Sequence, residues 1–368
     1  MKKNILIFYS QINHFGGIER LLLDVADTIK KKNLNLIILC YENKLKFERL
    51  RNNIKVIKYK KSENLYITSN NLKKKIKQIN YLGTCLAFDY NSIIYLYISK
   101  QKKYNCYLVD PPSLISKTKF KNFYIFYKIK ELIKEFIIKK SLHHARKVMA
   151  MTKTNGNDFY KFYNIKPTIV YPGCNIKKTK QKKTKTFNHK SLRFLTISRI
   201  EKNKNVDWLL YLVREILQQK KELEVNKITL DIIGKGQDEG EVKEIISKFK
   251  LNNIIKLRGF VSEMKKQNLL KNCSINLIPG YQGYGIPVLE SLFLGIPTVV
   301  NSASRVSEVL RTIKIAKITP DDKKKFINKT INFIKFLKKN KKINLNLKKL
   351  PTAENWTNHI AGLCEWYK

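Results

Sequence analysis

Residues 192–212 read LRFLTISRIEKNKNVDWLLYL, a succession that predicts one strand, one loop and one helix. Leu192–Ser198 is rich in aliphatic and β-branched side chains, as in a strand that is buried on both faces. Arg199–Asn205 is polar and basic, and an apolar helical face follows it. The stretch therefore predicts a β-loop-α unit of a parallel sheet. Arg199 and Lys204 fall at the carboxyl end of its strand, where such sheets bind ligands.

The same alternation of strand and helix patterns runs along the whole chain and restarts after residue 190. The predicted strands are Asn4–Ser10, Leu34–Tyr41, Ile54–Lys58, Ser92–Ile98, Asn105–Val109, Arg146–Met151, Thr168–Tyr171, Leu192–Ser198, Lys227–Ile233, Ile254–Leu257, Ile275–Pro279 and Pro297–Asn301. Residues 173–190 are rich in Lys, Thr and Asn and predict a basic linker. We therefore expect an α/β chain of two doubly wound domains, residues 1–172 and 191–350, facing each other across a central cleft.

The two ends of the chain also carry structural signals. Residues 351–368 contain Trp356, Trp366 and Tyr367 in a polar stretch, which predicts a docked helix. The opening MKKNILIFYS has no small-residue cleavage site, so a first strand is expected there and not a signal peptide. The length of 368 residues suits two domains, and no apolar run approaches the ~18 residues of a spanning helix.

The chain is strongly basic, because 74 Lys and Arg against 28 Asp and Glu give a net charge of +46. An anionic partner would explain this excess: nucleic acid, an acidic membrane or a phosphorylated substrate. A codon bias toward Lys, Asn and Ile would explain it as well. Lys supplies 64 of the 74 cations, which argues against base-specific readout, and no nucleic-acid-binding module is recognised, so we expect no nucleic-acid partner.

The six cysteines are scattered and include no C-x2-C pair. They predict neither a metal site nor a disulfide framework, and hence a reducing compartment.

A pair of glycines, Gly16 and Gly17, opens a helix directly after the first predicted strand. Amides at the positive end of a helix dipole suit a phosphate, and glycine lets the ligand approach closely. A plain turn between strand and helix would use the same residues.

A second glycine-rich stretch, Gly280–Ser291, reads GYQGYGIPVLES. Pro287 suits the first position of a helix, and Gly295 can end that helix. Glu290 is then expected in or beside the first turn, facing the cleft. Backbone amides and a carboxylate in this arrangement suit phosphate oxygens, sugar hydroxyls and a ribose diol. A capping glutamate on an ordinary helix is the alternative.

Together these segments resemble glycosyltransferase family 4, whose members have the GT-B fold, use nucleotide sugars and retain the configuration of the transferred sugar. The matching segments are Gly16–Glu19, Tyr171–Asn175, Ser198–Ile200 with Lys204, Ile232–Gly236, Leu257–Val261 and Gly283–Pro297. Each is weak alone, but their order and spacing over nearly the whole chain are specific.

The resemblance implies a role for each matching residue. Arg199 and Lys204 would bind the donor diphosphate and stabilise charge on the departing nucleotide, and Glu290 would hold the ribose. Residues 351–368 would return toward the N-terminal domain. The remaining donor-binding residues would be Gly16, Gly17, Gln282, Gly283, Tyr284, Gly285 and Ile286. No metal and no other cofactor is expected, because cations and amide dipoles act at the leaving group.

Two positions depart from the family pattern. The family has two glutamates separated by seven residues, and Gln282 occupies the first of these positions. Glutamine keeps hydrogen-bonding capacity but lacks the charge that helps an oxocarbenium-like transition state, so slower turnover, a changed donor sugar or lost activity would follow. Asp110 stands where many relatives carry histidine. It would contact acceptor or donor sugar, or cap the loop before Pro111.

A basic and aromatic segment, Lys117–Lys140, predicts a helix with eight Lys. Such a helix suits an anionic membrane, although its apolar residues are not confined to one stripe and a purely structural helix stays possible. Residues 1–190 carry 41 basic and 11 acidic side chains, against 33 and 17 in residues 191–368. We therefore expect a cytoplasmic, peripheral membrane enzyme that extends a glycan or a lipid-linked acceptor. The alternative is a non-catalytic GT-B subunit that binds nucleotide sugar or glycan, because Gln282 replaces a glutamate.

Overall fold

The computed structural model describes residues 3–81, 83–101, 104–113, 125–175, 187–340, 343, 345 and 347–367, and for residues 125–130 the backbone alone. The chain separates into two compact units: Met1–Asn175 with Pro351–Lys368, and Ile176–Leu350. Most of the predicted linker, residues 176–186, lies outside the described residues, and so do residues 117–124 of the predicted membrane segment.

The first unit is built on a parallel sheet with helices between its strands. Its strands are β1 (Asn4–Phe8), β2 (Gln11–Ile12), β3 (Asn35–Cys40), β4 (Glu42–Asn43), β5 (Ile54–Lys58), β6 (Cys85–Ala87), β7 (Tyr104–Leu108), β8 (Val148–Ala150) and β9 (Thr168–Ile169). Its helices include α1 (Gly17–Lys30), α2 (Leu65–Ile79), α3 (Tyr90–Ile98), α4 (Ile125–His144) and α5 (Lys153–Tyr163). Seven strands pair in the order β5-β3-β1-β6-β7-β8-β9, and β2 pairs with β4 separately.

The second unit repeats the plan with six parallel strands. They are β10 (Ser191–Ile197), β11 (Lys227–Ile233), β12 (Ile255–Gly259), β13 (Ile275–Ile278), β14 (Thr298–Asn301) and β15 (Ala316–Thr319). The helices are α6 (Asp207–Gln218), α7 (Glu239–Lys248), α8 (Glu263–Asn272), α9 (Ile286–Phe293) and α10 (Lys323–Lys339). The strand order is β12-β11-β10-β13-β14-β15. Because β10 occupies the centre, its carboxyl end lies at the point where the strand order reverses, the usual ligand position in such sheets.

The end of the chain packs on the first unit, as predicted. Helix α11 (Ala353–Leu363) lies against α1, where Lys31 and Glu354 form an ion pair of 2.7 Å. Trp356 is 2 % exposed, and its ring lies 5.6 Å from that of Tyr107 in β7. Burial of this aromatic side chain stabilises the docked helix more than the surface ion pair does.

One predicted strand is wrong. Ser92–Ile98 forms most of helix α3, and the carboxylate of Asp89 caps that helix by accepting from the backbone N–H of Ser92 at 2.7 Å. The apolar run of six residues after Ser92 fits a buried helix as well as a strand, and the cap in front of it decides. Four strands, β2, β4, β6 and β15, have no predicted counterpart, because each is only two to four residues long.

Two further observations concern the cysteines and whether any helix could span a membrane. None of the six cysteines forms a disulfide, and all of them are buried. In the described ranges, no helix is both long enough and apolar enough to cross a membrane.

Candidate functional site

The carboxyl edge of the second sheet brings together most of the predicted site. Strands β10, β13 and β14 are neighbours there, and parallel strands all end at the same edge. The loop after β10 carries Arg199 and Lys204, the loop after β13 is Gly280–Gly285, and the loop after β14 leads to Arg305.

Lys204 is a buried cation at this edge, with 5 % of the residue exposed. Its Nζ donates to the carbonyl oxygen of Tyr281 at 2.9 Å and lies 5.1 Å from the centroid of the Tyr281 ring. Burial, and then the charge of Arg199, lowers the pKa of the Lys204 ammonium, whereas Glu201 raises it. A positive charge is thus fixed directly beneath the loop that follows β13.

Arg199 is the exposed cation of the same loop. Its side chain is 67 % exposed, and Nη1 lies 2.7 Å from Oε1 of Glu201. Exposed ion pairs contribute about 0–1 kcal/mol, so an anionic ligand can replace Glu201 at low cost. The two predicted cations therefore differ: Lys204 is held in place, and Arg199 is accessible.

Backbone geometry explains the glycines at both ends of the Gly280–Gly285 loop. A Cβ on Gly280 would overlap the backbone of Asn203 and Lys204, and Gly285 has a φ of +105°, which glycine adopts without strain. The N–H of Tyr281 donates to the carbonyl oxygen of Asn203 at 2.8 Å. The loop therefore lies directly on the loop that carries Lys204.

The other residues predicted to line the sugar pocket differ in exposure. Gly283 is exposed, whereas Tyr284 and Ile286 are buried. Ile286 is the first residue of α9, so its amide belongs to the first turn of that helix. In this loop, Gly283 is the position at which a ligand can approach the backbone most closely.

Gln282 connects two of the loops. Its Nε2 donates to Oγ of Ser198 at 3.1 Å, and that hydroxyl donates to the carbonyl oxygen of Arg199 at 3.0 Å. A glutamate here would have to accept from Ser198, because a carboxylate has no hydrogen to donate. The substitution thus changes the direction of a hydrogen bond as well as the charge.

Glu290 is paired with a lysine that the sequence did not single out. Nζ of Lys266 in α8 lies 3.0 Å from Oε2 and 3.3 Å from Oε1 of Glu290, and 2.9 Å from Oε1 of Glu263. The Lys266 and Glu290 side chains are only 9 % and 10 % exposed. Glu290 is the fifth residue of α9 and lies beyond the first turn. Lys266 therefore holds the carboxylate of Glu290 in place.

In the first unit, the predicted phosphate site is occupied in part by a side chain of the same helix. Gly16 precedes α1, and its N–H donates to Oε2 of Glu19 at 2.9 Å, while Tyr9 Oη donates to Oε1 at 2.8 Å. Glu19 is 5 % exposed. Because the Gly16 amide already donates to this carboxylate, the amide of Gly17, the first residue of α1, is the better placed of the two to bind a ligand.

Asp110 lies just beyond β7, at the carboxyl edge of the first sheet. The residue is exposed, yet protein atoms crowd its carboxyl group, and this desolvation, followed by the charge of Asp89, raises the pKa of Asp110. The Asp110 backbone carbonyl accepts from Tyr90 Oη at 3.0 Å. This edge therefore presents a carboxyl group that is protonated more readily than an ordinary aspartate.

The side chains in the described ranges give no indication of a metal centre. Within them, no group of three or more His, Cys, Asp and Glu side chains is placed to hold a metal ion.

Comparisons with known proteins agree with this geometry. Residues 177–350 match the family model described as glycosyl transferases group 1. The GtfA subunit of a UDP-N-acetylglucosamine–peptide N-acetylglucosaminyltransferase from Streptococcus agalactiae is 28% identical over 178 residues, 46% of this chain and 33% of that protein. The corresponding subunit from Streptococcus pneumoniae serotype 4 is 27% identical over 111 residues, 30% and 20% of the two chains. The match thus spans at most a third of these curated relatives.

Solved structures match over nearly the whole chain. The lipopolysaccharide outer core galactosyltransferase WaaB is similar with a TM-score of 0.70 at 14% identity, over 99% of both chains. Anabaena Alr3699/HepE in complex with UDP gives 0.66 at 14% identity, over 98% of this chain and 95% of that chain. The protein has the GT-B fold, with parallel sheets in two Rossmann-like domains, and its second domain carries the glycosyl transferases group 1 match.

Proposed function

We propose that the protein is a glycosyltransferase that moves a sugar from a nucleotide-sugar donor to a glycan or lipid-linked acceptor. One observation carries the proposal: Lys204, Arg199 and the Gly280–Gly285 loop converge at the carboxyl edge of a domain that matches glycosyl transferases group 1. A diphosphate needs cations and backbone amides at one place, and this edge offers both.

The donor is a nucleoside diphosphate sugar, with uridine as the first base to test. HepE is a structural neighbour solved with UDP and with UDP-glucose, and the curated relatives are named for UDP-N-acetylglucosamine. In this proposal, Glu290 binds the ribose diol from a carboxylate held by Lys266.

Breaking the sugar–phosphate bond leaves negative charge on the diphosphate. Lys204 and Arg199 stabilise that charge, so that neither a metal nor another cofactor is required. Retention of configuration is the outcome expected from the resemblance to family 4. Asp110, on the other domain, is proposed at the acceptor.

A donor panel tests this function. UDP-, GDP- and ADP-sugars are compared by thermal shift and by hydrolysis, with and without EDTA. One of the three types of nucleotide sugar should stabilise the protein. The protein should hydrolyse that type and release nucleoside diphosphate at a rate that EDTA does not change. Loss of release in EDTA and its recovery with Mg²⁺ would contradict the metal-independent chemistry alone, whereas neither stabilisation nor release with any series would contradict the function.

A second candidate, a binding subunit without turnover of its own, is favoured by one residue. Gln282 uses its amide to donate to Ser198, at the position where the family has a carboxylate. The curated relatives are also named as subunits. Stabilisation by a nucleotide sugar without release of nucleoside diphosphate, even with membrane extract as acceptor, would favour this candidate.

The variant Gln282→Glu separates the two candidates. In an active transferase, the added carboxylate should stabilise positive charge on the reacting sugar and raise turnover up to about tenfold, which is ~1.4 kcal/mol. Affinity for UDP should stay within about twofold, because Lys204 and Arg199 are unchanged. Single-turnover kinetics and calorimetry provide the two readouts. A fall in turnover would show instead that the bond from Gln282 to Ser198 matters more than the charge.

Helix α4 offers the surface for the proposed contact with an anionic membrane at the cytoplasmic face. Leu132, Ile133 and Phe136 are 65 %, 55 % and 59 % exposed, whereas Ile138 and Leu142 on the same helix are buried in the core. Exposed Lys134, Lys139 and Lys140 lie among the apolar side chains. Apolar insertion flanked by lysines is the pattern of interfacial helices.

The double variant L132S/F136S tests this contact by sedimentation with phosphatidylglycerol vesicles at ~0.15 M salt, where the Debye length is ~8 Å. We expect wild-type protein to sediment, and the variant to lose about tenfold or more in binding, because it loses two inserting side chains. M264S removes an apolar side chain that is 76 % exposed on the second domain and serves as control. Equal sedimentation of all three proteins, or none for wild type, would contradict the membrane contact.

A further inference from the structure

A second cation lies on the ring of Tyr281. The guanidinium carbon of Arg305 is 5.7 Å from the ring centroid, and Lys204 Nζ is 5.1 Å from it. Arg305, Tyr281 and Lys204 lie in the loops after β14, β13 and β10, respectively, and these strands are neighbours in the sheet. We call Lys204, Tyr281 and Arg305 the Tyr281 cluster.

The backbone on both sides of Arg305 is tied to the Gly280–Gly285 loop. The N–H of Arg305 donates to the Gln282 carbonyl at 3.3 Å, and that of Val306 to the Tyr284 carbonyl at 3.0 Å. Oγ of buried Ser304 donates to the carbonyl of Gly280 at 2.7 Å. Arg305 is therefore not a loosely attached surface residue, because each loop holds the other in register.

Two carboxylates at this edge form ion pairs with cations outside the Tyr281 cluster. Glu201 pairs with Arg199, and Glu290 pairs with Lys266. The Nε atom of Arg305 is buried and has no hydrogen-bond partner in the described ranges. A buried donor without an acceptor costs about 1–3 kcal/mol. An oxyanion bound at this guanidinium would remove that cost.

The Gly280–Gly285 loop itself contributes no negative charge. Its sequence is GYQGYG, and Gln282 is neutral where a glutamate would repel an anion. A guanidinium presents a planar fork that matches carboxylate and phosphate oxygens, which a lysine does not. An anionic group that reaches this loop therefore meets two cations, a neutral amide and exposed glycine backbone.

We infer that Arg305 is a donor-binding residue that, together with Lys204, takes an anionic oxygen of the nucleotide sugar. This inference rests on the proposed function. The oxygen belongs either to the diphosphate or to a carboxylate on the transferred sugar, as in a nucleotide-activated uronic acid. The two sources have the same chemistry at the guanidinium but differ in which ligands should lose affinity when Arg305 is changed.

The test measures dissociation constants of UMP, UDP, UDP-glucose and UDP-glucuronate by calorimetry for wild type and R305M. If the diphosphate is bound, UDP and both sugar nucleotides should weaken together by about tenfold or more, and UMP by less. If the sugar carboxylate is bound, only UDP-glucuronate should weaken, and its affinity relative to UDP should fall by that factor. The GDP or ADP series replaces the UDP series if wild type binds it more tightly.

Two controls make the outcome interpretable. R311M removes an exposed arginine from the same domain and should leave all four constants unchanged. R305K keeps the charge without the fork and should recover part of the lost affinity. Affinities within twofold of wild type for R305M would overturn the inference and leave the proposed function intact. Failure of wild-type protein to bind any nucleotide would instead contradict the proposed function, and the inference with it.

Discussion

Replacing Lys204 by methionine is expected to slow donor turnover by about 10²–10³-fold while the domain stays folded. This is the usual cost of removing one fixed donor that stabilises charge in a transition state. Methionine fills the volume of the buried side chain, so the variant should lose only the stability contributed by the contacts of Nζ with the Tyr281 carbonyl and ring. Release of nucleoside diphosphate under saturating donor gives the rate, and circular dichroism checks the fold.

Lys202 provides a matched control for this variant. It lies in the same loop but is exposed, so K202M should retain turnover within about twofold. Equal losses for K202M and K204M would mean that general charge, and not the position of Lys204, drives donor binding. Unchanged turnover in K204M would remove Lys204 from the chemistry altogether.

The pH dependence of kcat/KM distinguishes a role of Lys204 in the chemistry from a purely structural role. Because burial lowers the pKa of Lys204 below the ordinary value of 10.5, the ammonium loses its proton at a lower pH than an exposed lysine does. We expect kcat/KM to fall on the alkaline side at a pH below 10.5. In K204R that fall should move to higher pH, since a guanidinium stays charged.

Replacing Lys266 by methionine is expected to destabilise the second domain by about 3–5 kcal/mol. Lys266 and Glu290 are both nearly buried, and removing one partner leaves an uncompensated charge in a site of low polarity. For a domain of this size, the change lowers the Tm by on the order of 10 °C. Chemical unfolding followed by fluorescence measures the free energy directly.

A double-mutant cycle distinguishes the charge from simple loss of packing. E290Q removes the carboxylate charge, so K266M/E290Q should regain at least half of the stability lost in K266M. Donor turnover should remain low in the double variant, because the proposed ribose contact is still missing. K265M, at an exposed neighbouring position, should be close to wild type in stability. A double variant no more stable than K266M would show that the ion pair is not the source of the loss.

The sequence predicts the sheet strands that combine sufficient length with an apolar pattern. Lys227–Ile233 and Ile54–Lys58 have the predicted bounds, because alternating helices and buried parallel strands leave a clear signal. Ser92–Ile98 was assigned wrongly because its seven residues suit either state until the cap at Asp89 is considered. Cys85–Ala87 is too short to show any period.

The loops of the candidate site are also predicted from sequence, but their partners are not. Glycines and Pro287 mark the loop after β13 and the helix that follows it, since both act through the local backbone. Lys266 and Arg305 act across the fold, and nothing in their local sequence separates them from the chain's other 72 cations. Glu19 could have been found, because a glutamate three residues after a helix cap is a recognisable capping pattern.

The most direct measurement is transfer of labelled sugar from the preferred nucleotide sugar to membrane extract, followed together with release of nucleoside diphosphate, for wild type and K204M. The proposed function predicts equal amounts of released nucleotide and sugar-bearing product for wild type, and rates at least about 10²-fold lower for K204M. Binding of the nucleotide sugar without either product, or transfer that proceeds equally well in K204M, would contradict it.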